Sequence, residues 1–219
     1  MHKVKSSVPA LLLAISIAGG TAYSQTVSSG TRGRPVETER KSVGEVVKRV
    51  MDGDTFELTS GKRVRLIGVD TPEKGEPFAD VARDFADSAL VGSTVRIEYD
   101  KLREDNYERV LGYVFLDTVL FNELLIRRGL AHVYLFKENK RFMKRLISAQ
   151  RKARAEKQGI WSQEKPSDEP YYIAAGGSYR FHRPLCTLIK NINLKKAKRH
   201  KTREAALDEG LSPCRTCRP

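Results

Sequence analysis

Cysteine is nearly absent from this chain: three residues in 219, all of them beyond position 185. None follows the early apolar run at 8–20, which removes the thiol that a lipid anchor would need there. The run itself is shorter than the roughly 20 residues of a membrane-spanning helix. Preceded by Lys3 and Lys5 and followed by Ala22-Tyr23-Ser24, it has the layout of a signal peptide over 1–24, cleaved after Ser24. The mature chain is then expected in the periplasm or outside the cell. Large apolar residues are scarce over 25–41, which reads as a flexible leader. Histidine and cysteine are both missing from 50–73, which argues against zinc there. Acids are scarce at the far end, where 179–219 holds eleven Lys and Arg against three acidic residues. Much of the net charge of +13 is therefore concentrated in a segment suited to a polyanion, nucleic acid first and an anionic membrane surface second.

What is present from position 42 onward is strand and helix patterning. Val43, Val46, Val47 and Val50 open a β-rich stretch, and 55–58, 64–69, 95–99 and 110–116 read as further strands. Phe78, Val81, Phe85 and Ala89 fall at helical spacing. A second helix over 121–128 is closed by Gly129. A third over 139–158 carries Phe142, Leu146, Ala149 and Ala153 on one stripe, with basic residues on its other faces. Strands with one inserted helix and two closing helices suggest an α+β domain over 42–162, with an OB-type barrel fitting the count. A polar linker over 163–177 leads to a small module over 178–219.

Carboxylates cluster at both ends of 50–73. Asp52-Gly53-Asp54-Thr55 opens a strand, and Arg65 precedes Asp70-Thr71-Pro72-Glu73 at the end of another. If the strands are neighbours, Asp54, Asp70 and the Thr71 carbonyl converge as oxygen ligands of calcium. Either turn alone is ordinary turn chemistry; both together with Arg65 and Glu73 point to a site. A cation and a guanidinium together suit a phosphodiester, with Arg65 on phosphate and Glu73 as base for water. A second guanidinium is expected from Asp105-Asn106-Tyr107-Glu108-Arg109.

With these residues in view, 43–162 resembles the staphylococcal nuclease (thermonuclease) family. The resemblance rests on Asp52-Gly53-Asp54-Thr55, the run from Arg65 to Glu73, Tyr107 with Arg109, Asn122-Glu123-Leu124-Leu125, Arg128-Gly129-Leu130-Ala131 and Ile160-Trp161. It implies a five-stranded OB-fold barrel with three helices. It also implies calcium-dependent hydrolysis of DNA and RNA, leaving 3′-phosphate ends. Asp54, Asp70 and Thr71 would bind calcium, Arg65 and Arg109 the phosphate, Glu73 the water, and Tyr107 the nucleotide. The family usually has glycine where Glu108 stands; glycine permits positive φ, so weaker phosphate binding is expected. The short 74–77 connection implies a cleft more open on that side. A non-catalytic nucleic-acid binder on the same barrel is the competing reading.

In the last module, His182 and Cys186 lie four apart, and Cys214 and Cys217 three apart. These are four ligands for tetrahedral zinc. A Cys214–Cys217 disulfide with Cys186 left free is the alternative. The segment resembles the metal-binding domain of the Ada repair protein through Phe181-His182-Arg183-Pro184-Leu185-Cys186, Thr202-Arg203-Glu204-Ala205-Ala206 and Pro213-Cys214-Arg215-Thr216-Cys217. His182 stands in place of a cysteine, so the resemblance implies a structural zinc module and not methyl transfer. Large apolar residues are few there, so metal is expected to supply much of its folding energy. The Lys195-Lys196-Ala197-Lys198-Arg199-His200-Lys201 run suits phosphate contacts without base readout.

Overall fold

Alternating apolar residues build a closed sheet first. In this computed structural model, which describes residues 44–135, 138–163 and 169–219, β1 (Glu45–Asp52), β2 (Thr55–Leu58) and β3 (Arg63–Leu66) form an antiparallel meander. The expected signal peptide and leader lie outside the described residues. β4 (Val69–Asp70) and α1 (Ala79–Leu90) follow, then β5 (Thr94–Glu98), β6 (Val110–Leu116), β7 (Val119–Leu120) and α2 (Phe121–Arg127). β5 pairs with β1 and with β6, and β6 returns in parallel to β3, with Val64 opposite Val110 and Leu66 opposite Gly112. This closure makes a five-stranded OB-type barrel without open edges. Val47, Phe56, Leu58, Val64, Leu66, Val95 and Ile97 are buried in its core. Two register shifts along β1 bend that strand.

Outside the barrel, β8 (His132–Val133) pairs with β4, setting Asp70 opposite His132. α3 (Met143–Ala155) is shorter than the pattern predicts. Asn139 is not helical: its side chain accepts from the Leu102 amide and donates to the Leu102 carbonyl, both at 2.8 Å. The α1 stripe also differs from expectation. Its buried residues are Ala79, Ala82, Ala86 and Leu90, while Val81 is 52% exposed. Small alanines allow close approach to the core, and Phe78, Phe85 and Ala89 pack along its margin. Gly129 ends the α2 region at φ 65, and a Cβ there would lie 2.1 Å from the Gln158 carbonyl oxygen. Backbone contact at this crossing requires glycine.

The tail contains β9 (Tyr172–Ala174), β10 (Arg180–His182), β11 (Lys198–His200), α4 (Arg203–Asp208) and β12 (Ser212–Pro213). They form a sheet in the order β11-β9-β10-β12, so the segment read as linker supplies an inner strand. Period-two alternation explains it: Tyr172 and Ala174 join one apolar cluster and Ile173 another. The first cluster also holds Ala153, Ile160 and Trp161 with Phe181, Ala206, Leu207 and Leu211. The tail thus has a larger apolar core than its own composition suggests, because it borrows side chains from α3 and from Trp161. Gln150 on α3 is fully buried; it accepts from the Val133 amide at 2.7 Å and donates to the Leu207 carbonyl at 3.1 Å.

The loop ahead of β6 winds around Asp105. Its carboxylate accepts from the Tyr107 amide at 2.9 Å and the Arg109 amide at 3.1 Å, and its carbonyl accepts from the Glu108 amide at 3.1 Å. This winding holds Glu108 at φ 58, the left-handed conformation that glycine adopts at least cost. Glu108→Gly should raise the unfolding free energy by about 1 kcal/mol, read by urea denaturation. Gln150→Ala should lower it by about 2–3 kcal/mol, because a buried amide and a buried carbonyl lose their partner together. No change in the Gln150 variant would mean that the tail is not held through this residue.

Candidate active site and metal centre

The β1–β2 turn positions the first carboxylate. Asp52 accepts from the Asp54 amide at 3.0 Å, closing an Asx-type turn. Gly53 within it presses on the next segment: a Cβ there would lie 2.7 Å from Thr71 Cγ2 and 2.9 Å from Ala82 Cβ. Glycine therefore lets Asp54 and Thr71 meet. The Thr71 amide donates to Asp54 Oδ2 at 3.1 Å, and Arg65 Nη2 lies 3.0 Å from the same oxygen. Thr55 Oγ1 donates to Asp54 Oδ1 at 3.0 Å, and Arg65 Nη1 donates to the Leu66 carbonyl at 2.8 Å. Asp54 and Arg65 are both buried. Desolvation and the Asp54 carboxylate push Asp52 up to about 6.

The second carboxylate is held by pairing of β4 with β8 and by Asn122. Asn122 is fully buried; it accepts from the Val114 amide at 2.9 Å and donates to the Ile67 and Gly112 carbonyls at 2.9 and 3.2 Å. The chain leading to Asp70 is thereby fastened to β6. Asp70 is buried, and its partners come from the tail. Arg180 Nη1 donates to Oδ2 at 3.0 Å and Arg180 Nη2 to Oδ1 at 3.1 Å. Arg215 Nη2 donates to Oδ1 at 2.7 Å and to the Thr71 carbonyl at 3.2 Å. Ser212 Oγ donates to Oδ2, and Arg215 Nη1 pairs with Glu73. Burial works to raise the Asp70 pKa, but Arg180 and Arg215 outweigh it and hold the carboxyl below its usual range. On the side expected to be more open lies a cavity of about 310 Å³, lined by Asp70, Thr71, Glu76 and Pro77 and, from the tail, by Ser212 and Arg215.

Arg109 donates through Nε to Asp105 at 2.8 Å, with Nη2 2.7 Å from the same oxygen. Its Nη1 lies 3.5 Å from Thr55 Oγ1, and its guanidinium is 5.3 Å from the Tyr107 ring centroid. Tyr107 is 71% exposed, and its carbonyl accepts from Arg63 at 2.9 Å. Contacts thus link Asp54, Arg65, Thr71, Asp70 and Glu73 directly or through Arg215, and link Arg109 through Thr55; Tyr107 stands at the rim. The donor set of two carboxylates and a carbonyl is the oxygen-only kind a hard cation takes. In this arrangement, however, Asp70 and the Thr71 carbonyl are committed to Arg215.

A second cluster lies in the tail. The ligand atoms of His182, Cys186, Cys214 and Cys217 all fall within 4.8 Å of one another, and His182 Nδ1 is 3.4 Å from Cys186 Sγ. Zinc–thiolate bonds of about 2.3 Å call for ligand atoms about 3.8 Å apart, so the four side chains fit a tetrahedral ion with little adjustment. All three cysteines are free thiols. The Arg183 amide donates to Cys217 Sγ at 3.3 Å, as amides do around metal-bound sulfur. Burial and the nearby Arg180 charge lower the His182 pKa, favouring the neutral imidazole that binds metal.

Sequence reasoning missed Arg180, Ser212 and Arg215 at Asp70. It assigned the tail's cations to a polyanion as a group, and no local signal distinguishes Arg215 from its neighbours. The register does so in three dimensions: β10 and β12 run parallel with Arg180 opposite Ser212, which brings both to Asp70.

Comparison with known proteins agrees with the barrel. Residues 63–163 match the family model described as staphylococcal nuclease homologue. A thermonuclease of Staphylococcus hyicus is 41% identical over 125 residues, covering 53% of this chain and 74% of that protein. A thermonuclease of Staphylococcus intermedius is 34% identical over 170 residues, covering 74% and 99%. An uncharacterized endonuclease of Escherichia coli is 36% identical over 127 residues, covering 56% and 79%. The family match ends before the tail. On the evidence of its barrel and of these relatives, the chain belongs to the staphylococcal nuclease family.

Proposed function

We propose that this protein is an exported, calcium-dependent endonuclease that hydrolyses DNA and RNA. The observation that supports this reading is that Arg65 and the Thr71 amide meet on Asp54, that Asp70, the Thr71 carbonyl and Glu73 share Arg215, and that Arg109 reaches Thr55 beside Asp54. When held by Asp54, Asp70 and Thr71, calcium supplies positive charge to the scissile phosphate and polarises a water. Arg65 and Arg109 bind the non-bridging oxygens and neutralise the charge that builds on them as the bond breaks. Arg65 is pre-oriented by Asp54, and Arg109 by Asp105. Glu73 stays largely exposed, accessible to water, and accepts the proton as water attacks phosphorus. The P–O5′ bond breaks and the 5′-oxygen takes a proton from solvent water, leaving a 3′-phosphate and a 5′-hydroxyl. Tyr107 at the rim contacts the nucleotide.

The His182, Cys186, Cys214 and Cys217 cluster supports a structural zinc site that fixes the β10 end and the C-terminal turn. The basic run over 195–201, exposed except at Ala197 and His200, supports a role in holding polynucleotide. No helix among the described residues is long and apolar enough to cross a membrane. Export rests on the signal-like segment at 1–24.

Glu73→Gln should reduce cleavage of single- and double-stranded DNA and of RNA by about 10²–10⁴-fold, and a calcium-selective chelator should abolish it in the unaltered protein. Cleavage that persists in chelator would sink the metal assignment. Metal analysis of the reduced protein should find one zinc per chain, lost in Cys214→Ser. A disulfide with no bound zinc would replace this assignment.

A further inference from the structure

We propose that Arg215 is an internal competitor of calcium, so that the tail controls cation access to the nuclease site. The inference rests on the nuclease reading and concerns how its site is loaded. Four hydrogen bonds reach the Asp70 carboxylate, two from Arg180 and one each from Arg215 and Ser212. An ionised carboxylate offers about four lone-pair sites, so none is left for a metal. The Thr71 carbonyl, the other ligand on this segment, also accepts from Arg215. The same guanidinium pairs with Glu73, the group assigned to water. One side chain thus engages a carboxylate ligand, the carbonyl ligand and the base. Arg180 and Arg215 together bring the charge of one divalent cation to oxygens suited to one.

The arrangement of the tail makes this more than a chance surface contact. Arg215 lies between Cys214 and Cys217, two members of the metal-binding cluster, so its backbone direction is fixed on both sides. The Cys214 amide donates to the Phe181 carbonyl at 2.9 Å, and the Arg218 amide to the Cys214 carbonyl at 2.9 Å. Phe181, fully buried, anchors this turn in the cluster that includes Trp161. The guanidinium is therefore presented from a hydrogen-bonded turn held against the tail's core. Calcium entry requires Arg215 to leave Asp70 and Thr71, while Arg180 and Ser212 shift to free one carboxylate oxygen.

The experiment is calcium titration by calorimetry on the full, zinc-loaded chain without nucleic acid, comparing the unaltered protein with Arg215→Ala and Arg215→Gln. Arg180 and Ser212 remain in both variants, so Asp70 keeps partners and the fold is retained; zinc content and thermal melting verify this. Both variants should bind calcium about tenfold or more tightly than the unaltered protein. Cleavage at limiting calcium should rise with them. Thr216→Ala, on the same turn, should leave the calcium constant unchanged. Equal or weaker calcium binding in both Arg215 variants would overturn the proposal, as would an equal gain in Thr216→Ala. Failure of the nuclease reading shows separately, as no cleavage by the unaltered protein at saturating calcium, and failure of its metal assignment as cleavage that survives a calcium-selective chelator.

Discussion

Asp70 is a carboxylate that the fold buries, and much of the rest is arranged around supplying it with positive charge. Burying an ionised carboxylate without a partner costs several kcal/mol, more than a marginally stable domain tolerates. The β4–β8 pairing and Asn122 fasten the segment that carries it, and Asp70 is only 5% exposed. Two guanidinium groups and a hydroxyl from more than a hundred residues away meet the demand. They arrive there because the tail is seated on Trp161 and α3 through its own apolar cluster. Apolar burial thus places the tail, and the tail's cations make the burial of Asp70 tolerable. On the calcium-dependent reading proposed above, a bound cation is a second solution to the same demand.

The barrel was legible because its chemistry is local. Alternation at 55–58 and 95–99 and the apolar run at 110–116 mark strands, and the observed strands lie within or close to those bounds. Asp54, Arg65, Asp70 and Glu73 were legible as a group because two turns and one strand carry them. The α1 stripe was misjudged: the helix turns its alanines inward, and hydrophobic size pointed to its neighbours instead. β9 was hidden because three residues beside a proline and a polar run give almost no periodicity. Positive φ at Glu108 was legible from the expectation of glycine, and the fold meets it with a strained residue.

What no local pattern carries is the partner of a charge. Arg180, Arg215 and the 195–201 run read alike in sequence, as parts of one basic tail. Register separates them. Pairing of Arg180 with Ser212 across β10 and β12 selects these side chains for Asp70, and the turn between Cys214 and Cys217 selects Arg215. Lys195, Lys196, Lys198, Arg199 and Lys201 remain exposed. The tail's excess positive charge is divided between an inward group that satisfies carboxylates and an outward group available to phosphates.

This division gives substrate a physical role in opening the site. A guanidinium grips carboxylate and phosphate by the same planar, bidentate geometry. Asp70 and Glu73 therefore present to Arg215 a small internal version of what a nucleic-acid backbone presents in quantity. A polyanion held by the outward lysines raises the local concentration of phosphate oxygens near the tail. On the proposed reading it then competes with Asp70 and Glu73 for Arg215, as calcium would compete with Arg215 for Asp70. Both exchanges move in one direction: the cation gains the carboxylates, and the arginine gains the phosphate. Neither partner alone satisfies every charge that the exchange exposes, since calcium leaves Arg215 unpaired, and phosphate takes Arg215 from Glu73 and leaves Asp70 with Arg180 and Ser212 alone. The charge balance favours simultaneous arrival of metal and substrate, and disfavours a loaded site with nothing to cleave.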